Sequence, residues 1–359
     1  MASEDAKFPP QHQDTQPGKQ YLMHPQPLTV NPQYKPSSKL HGKVALVTGG
    51  DSGIGRAVCY YFSLEGATVV FTYVKGQEDR DAADALSLIK EVMSSDAKEP
   101  IAIPADVRYE ENCKQVVDEV INQFGCIDIL VNNAAVQFYA ESIEDVTADM
   151  LRQTFETNFF AYFFMARFAL RHMKKGSSII NTTSVLAYQG RKDLLDYSCS
   201  IGAIVSFTRS LALQLANRGI RVNGVAPGPI WTPLEVASLP VDQIVQFGSE
   251  LPLGRAGQPF EVAPAHVFLA SNDCSSYITG QVIHPNGWVD AQLVDLIPMY
   301  LKRQQVYKVK CKVVPTVVMG KMCQVFEVCL LYLSPFDFCI SMILCLNQVV
   351  FDRHESLMK

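Results

Sequence analysis

Between residues 43 and 286, short runs of β-branched and other apolar residues alternate with longer stretches in which apolar side chains recur every three or four positions. The short runs predict strands over 44–48, 68–73, 101–105, 129–132, 178–181, 221–225 and 281–284. The longer stretches predict helices over 54–65, 79–94, 110–124, 148–174, 198–217 and 259–270. Strands this apolar are buried on both faces, which requires a parallel sheet with helices on either side. The pattern therefore predicts one α/β domain over 41–290, a doubly wound seven-stranded parallel sheet.

Two flanks break the pattern. Residues 1–40 hold seven prolines and six glutamines with little apolar content. Such a stretch builds no core of its own, and reads either as a disordered tail or as an arm that wraps a neighbouring subunit or domain. Residues 291–359 hold five of the ten cysteines and a mostly apolar run over 328–351. Pro335 and Asp337 interrupt that run, and a central Asp costs about 2.5–3.5 kcal/mol on insertion. The reading favoured is a tail rather than a membrane anchor.

Composition narrows the function classes. A net charge of −5 gives no general attraction to nucleic acid or to anionic membranes. The cysteines show no Cys-x-x-Cys spacing and the seven histidines no metal-ligand spacing, so no metal is expected. Unpaired cysteines suit a reducing compartment, and the first forty residues, without arginine and with Glu4, Asp5 and Asp14, argue for the cytoplasm over an organelle.

The chemistry sits at strand ends. Thr48-Gly49-Gly50-Asp51-Ser52-Gly53-Ile54-Gly55 joins the first strand to the first helix. Glycines there let backbone approach a phosphate, and the helix aims free amides and its positive dipole end at a pyrophosphate. Asp106 and Val107 follow strand three, where the carboxylate can accept from an adenine amine. Asn132-Asn133-Ala134-Ala135 closes strand four, and its small residues leave room for a ribose. Pro227-Gly228-Pro229-Ile230-Trp231-Thr232 follows strand six and can fix a carboxamide. Taken together, these carboxyl-end motifs describe a dinucleotide crevice.

With these pieces and Asn158, Ser184 and Tyr197, the stretch from about Gly42 to Gly287 resembles the short-chain dehydrogenase/reductase family, whose fold is of Rossmann type. Tyr34–Ser37 and His284-Pro285-Asn286-Gly287 look like its plant glucose and ribitol dehydrogenase homologues, some regarded as NADPH-dependent aldehyde reductases. The resemblance implies a homo-oligomer, a small carbonyl or polyol substrate, and the chloroplast as an alternative compartment. It implies Tyr197 as acid/base, Ser184 as donor to the carbonyl oxygen and Asn158 as support of a proton relay. The family's lysine, four residues after the tyrosine, is Ile201 here. Lys192 lies five residues before Tyr197 and is badly placed to replace it.

An isoleucine can neither hold a nicotinamide ribose nor lower the tyrosine pKa, so weak turnover that improves at alkaline pH is expected. The alternative is a protein that keeps the dinucleotide pocket as a regulator or scaffold. An acidic residue ending strand two would select NAD. Tyr73 holds that place, with Lys75 nearby, so NADP(H) is favoured over NAD(H).

Overall fold

Leu46 and Ala45 face opposite ways along the first strand, and the layered architecture follows from that alternation. The computed structural model describes residues 8–287; residues 291–359 and the first seven lie outside them. In chain order the elements are β1 (Val44–Val47), α1 (Gly53–Leu64), β2 (Thr68–Tyr73), α2 (Asp79–Lys90), β3 (Ile101–Pro104) and α3 (Glu110–Phe124). Then come β4 (Ile129–Asn132), α4 (Ala148–Phe155), α5 (Ala161–Ala169), β5 (Ser178–Thr182), α6 (Leu186–Gln189) and α7 (Leu195–Leu215). The last are β6 (Arg221–Val225), α8 (Pro233–Val236), α9 (Val241–Val245), α10 (Pro259–Ala270), α11 (Asn272–Ser275) and β7 (Val282–Ile283).

All seven strands are parallel, in the order β3-β2-β1-β4-β5-β6-β7. Leu46 stands beside Val70 on one side and Leu130 on the other. These three side chains bury against α3, α5 and α7, while Ala45, Val47, Phe71 and Val131 bury against α1, α2 and α10. Each such Leu, Val or Phe contributes about 1.5–3 kcal/mol by leaving water. The predicted doubly wound Rossmann-type sheet is the one observed.

Local details differ where tertiary contacts override periodicity. The single helix expected over 148–174 is α4 and α5 joined by a π-helical stretch, Glu156–Phe160, and ends at Ala169. A π-bulge adds a residue to one turn and re-aims its side chains. Here it turns the Asn158 amide onto the backbone of Val136, accepting from its N–H at 2.9 Å and donating to its carbonyl at 2.9 Å. Helix α7 begins at Leu195 rather than 198, so Tyr197 lies inside its first turn.

Residues 8–40 lie along their own domain. Phe8 stacks on Trp231 with ring centroids 3.7 Å apart, and the Trp231 indole N–H donates to the Pro25 carbonyl at 2.8 Å. The N–H groups of Gln20 and Tyr21 donate to the Asp81 carboxylate at 2.8 and 3.1 Å. Tyr34 donates to Glu65, which also accepts the N–H groups of Ser37 and Lys39 at 3.0 and 2.9 Å. Polar side chains and proline carbonyls, paired with groups of the domain, order a segment that has no core of its own.

Candidate active site

Strand order reverses between β1 and β4, and a cleft of about 530 Å³ opens there at the carboxyl ends of the strands. Its floor is the glycine turn. Gly53 adopts φ +50°, which favours glycine. A Cβ on Gly55 would stand 1.9 Å from the Gly49 carbonyl oxygen, so α1 can approach the turn only with glycine there. Thr48 locks this turn to the end of β4, its hydroxyl accepting the N–H groups of Asn133 and Ala134 at 2.9 and 3.1 Å.

Ser52 N-caps α1 without a side-chain capping bond, which leaves the helix N–H groups to other partners. The N-terminal arm takes one of them, the Gln20 side-chain oxygen accepting from the Gly53 N–H at 2.8 Å. Under the turn lies Asp51, whose carboxyl burial pushes up to about 6, with the Arg56 guanidinium opposing and Asp81 adding to the rise. Burial likewise drives neighbouring Glu78 well above the usual carboxylate range.

Gly49, Asp51, Ser52, Gly53, Ile54, Tyr73, Asp106, Val107, Ala134, Pro227, Gly228, Ile230 and Thr232 all line the cleft, as expected from sequence. Asp106 is already engaged by Arg108, whose Nε lies 3.0 Å from each carboxylate oxygen. Four expected residues sit elsewhere. Gly55 serves helix packing, and Lys75 is exposed outside the cleft wall. Asn132 is buried in the sheet, donating to the Asn181 side chain across β4 and β5 at 2.9 Å. Asn158 is buried too, its amide spent on Val136 and, at 3.0 Å, on the Ser200 hydroxyl. It splints the loop after β4 to α7 instead of facing the cleft.

Ser184, Tyr197 and Ile201 do converge on the cleft. Tyr197 is 7% exposed, and burial together with the Glu235 carboxylate pushes its phenol well above the ordinary tyrosine value, while the Ser184 hydroxyl works the other way. Ile201, one turn along α7, is 1% exposed, and its side chain offers no donor. Lys192 is exposed and does not line the cleft.

Sequence reasoning missed Glu235 and Arg108 in the cleft, Gln137 in an adjoining cavity, and the arm residues Thr15, Gln16, Pro17 and Gly18 that wall one side of the cleft. Gln137 is 2% exposed; its amide donates to the Glu235 carboxylate at 3.0 Å and to the Ser238 hydroxyl at 2.6 Å. Burial pushes the Glu235 carboxyl up to about 7, against the pull of Gln137 and Arg191. The only signal for the arm was its density of glutamines. Each of Gln13, Gln16 and Gln20 bonds to backbone through its side chain.

A family model described as enoyl-(acyl carrier protein) reductase matches residues 49–288. The chain is 63% identical over 287 residues to a carrot (Daucus carota) protein named glucose and ribitol dehydrogenase, covering 80% of this chain and 98% of that one. It is equally identical, with the same coverage, to an Arabidopsis thaliana protein named NADPH-dependent aldehyde reductase 1, chloroplastic. Among solved structures, a short-chain dehydrogenase from Burkholderia cenocepacia in complex with NADP superposes with a TM-score of 0.63 at 32% identity, covering 69% of this chain and 98% of that one. Fold, cleft and sequence kinship converge, and the chain is a member of the short-chain dehydrogenase/reductase family of oxidoreductases, related to aldehyde reductases.

Proposed function

We propose that the protein interconverts a small aldehyde or sugar carbonyl with its alcohol using NADP(H), at a rate limited by Ile201. The carrying observation is the convergence of Ser184 and Tyr197 on the glycine-turn cleft, with an isoleucine where a cation would assist them. The family binds nicotinamide dinucleotides. The residues here fit one along most of its length: Gly53 and Gly55 keep the turn free of side chains, and the α1 N-terminus, where Ser52 makes no capping bond and Gln20 takes only the Gly53 N–H, faces the phosphate position. At the nicotinamide ribose the fit fails in one place, because Ile201 has no donor.

Bound there, NADPH would supply the hydride. The rest is the work of the chain. Ser184 donates its hydroxyl proton in a hydrogen bond to the carbonyl oxygen, polarising it. Tyr197 gives the phenolic proton to the same oxygen as negative charge develops. The loop from Pro227 to Thr232 would hold the far wall, and the turn from Gly49 to Ile54 would seat the phosphates. Preference for NADP rests on Tyr73 in place of an acid, and on the cofactor named for the Arabidopsis relative and the Burkholderia structure. Fluorescence titration should show NADPH binding at least about tenfold tighter than NADH, roughly 1.4 kcal/mol. Equal affinities would remove the cofactor assignment.

A second reading, a dinucleotide-binding protein without turnover, is favoured by Ile201 and by the raised Tyr197. It predicts tight NADPH binding with no aldehyde reduction at any pH.

The assembly proposed is a homo-oligomer. Phe160 and Phe163 are 42% and 44% exposed, and Phe163 continues into Phe207 of α7 at 5.6 Å between centroids. Aromatic surface of this kind suits a subunit contact. Gel filtration at micromolar concentration should give more than one copy, with Phe163→Asp shifting the peak toward monomer. Elution of the natural chain as a monomer would end this proposal.

A further inference from the structure

Glu235 comes from α8, directly after the loop that follows β6, and it lines the dinucleotide cleft together with Tyr197 and Ser184. It also lines an adjoining cavity of about 670 Å³, which Ser184, Tyr197 and Gly228 share. That second cavity touches both reacting side chains, so the body of a substrate has to enter it when its carbonyl reaches Ser184. One Glu235 carboxylate oxygen accepts from Gln137 at 3.0 Å; among the described residues no donor reaches the other. Among the described residues no cation forms an ion pair with Glu235 either. The nearest candidate, Arg191, is committed to Asp193, with Nε 2.5 Å from its carboxylate, and to the Gln243 side chain. Asp193, Asp242 and Glu250 line the same cavity. Arg191 lines the cavity as well, so above about pH 7, where Glu235 is ionised, a substrate meets a free acceptor oxygen in a chamber whose four carboxylates outnumber one arginine.

We infer that Glu235 is a specificity-determining residue, which accepts a hydrogen bond from a hydroxyl next to the reacting carbonyl and turns away carbonyl compounds that carry a phosphate or carboxylate. The inference rests on the proposed carbonyl reduction and names its substrate class: neutral, hydroxylated aldehydes and sugars. The physics is a difference between two partners. A hydroxyl donor gains a charge-assisted hydrogen bond, stronger than a neutral one. An anion in the same position faces an unpaired carboxylate across a partly desolvated gap, where like charges repel strongly. Gln137 holds Glu235 in this position, and its own N–H donates at 3.0 Å to Gln16 of the N-terminal arm, so the acceptor is fixed before any substrate arrives.

The test uses the full chain carrying Ile201→Lys, with NADPH and three aldehydes: glyceraldehyde, glyceraldehyde 3-phosphate and propanal. With Glu235 present, kcat/KM should favour glyceraldehyde over its phosphate by at least about thirtyfold. Glu235→Gln keeps the shape and removes the charge, and should narrow that ratio by about tenfold. Glu235→Leu removes the acceptor, and should lower glyceraldehyde about tenfold relative to propanal. Unchanged ratios in both variants overturn the role of Glu235 while leaving carbonyl reduction standing. Absence of turnover with every aldehyde strikes the function instead, and calorimetry with ribitol and ribonate then decides the inference. The natural chain should bind ribitol in preference to ribonate, and Glu235→Gln should reduce that preference about tenfold. Equal binding of the two by the natural chain overturns it.

Discussion

Replacing Ile201 by lysine should raise the rate of carbonyl reduction about a hundredfold. Tyr197 and Ile201 are one turn apart on α7 and both line the cleft, so a lysine stem can follow the wall and place its ammonium beside the phenol. Among the described residues that line the cleft, no lysine stands beside the phenol. Burial and the Glu235 carboxylate both drive the Tyr197 phenol upward, and the Ser184 hydroxyl alone opposes them. An ammonium that lowers the phenol by about two units supplies roughly 2.7 kcal/mol. That is about a hundredfold if fully felt at the transition state.

The pH profile gives an independent reading. Alcohol oxidation needs Tyr197 ionised, and a raised pKa leaves a smaller ionised fraction at neutrality. The natural chain should therefore gain nearly tenfold per pH unit and still be rising at pH 10. Ile201→Lys should level off at lower pH. Ile201→Met, which fills the same space without charge, should behave like the natural chain. A natural chain that plateaus near pH 8, or a lysine variant within threefold of it, means that another group already assists Tyr197.

Trp231→Ala should cost about 3–5 kcal/mol of stability and release the N-terminal arm. Trp231 is fully buried, the largest such side chain, and the cavity left by removing a buried aromatic is not refilled. It is also the hub of the arm: Phe8 stacks on it, its indole N–H donates to Pro25, and Phe247 packs at 6.5 Å between centroids. The loss should appear in thermal melts and as rapid proteolysis within residues 8–40, with cleavage there preceding cleavage of the sheet domain. Trp231→Phe, which keeps the stacking but drops the indole donor, should lose much less. Equal protease resistance of the arm in Trp231→Ala and the natural chain would show that the other arm contacts suffice.

The sheet was legible because each strand carries its own signal. Ile129 to Asn132 reads as a strand from its apolar run, and parallel pairing on both sides demands that composition. The glycine turn was legible for a related reason: a close backbone approach excludes every other residue at Gly55. The partners of Asn158 were not legible, because the π-bulge that turns it toward Val136 leaves no mark on helical periodicity. Glu235 and Gln137 escaped notice because their meeting spans 98 residues and depends on the direction of the loop after β6. An arm was one of two readings left open for residues 1–40, and where it docks was not legible: a bond between a glutamine and a distant backbone group looks, in sequence, like any exposed glutamine.

The bond from Trp231 to Pro25 also bears on the order in which the protein can be completed during synthesis. Its two ends lie 206 residues apart, and the arm is made first. At roughly 5–20 residues per second, about 10–40 seconds pass before the ribosome delivers its docking site. For that interval the Phe8 and Pro25 end of the arm has no Trp231 to bind, while Glu65 and Asp81, which hold Tyr34, Gln20 and Tyr21, are made much sooner. Its composition suits the wait, since a segment rich in proline and glutamine and poor in apolar residues neither collapses early nor pairs as a strand with other chains. The Phe8 and Pro25 end then closes onto Trp231 over a nearly finished sheet domain, which makes this part of the docking a late step of folding.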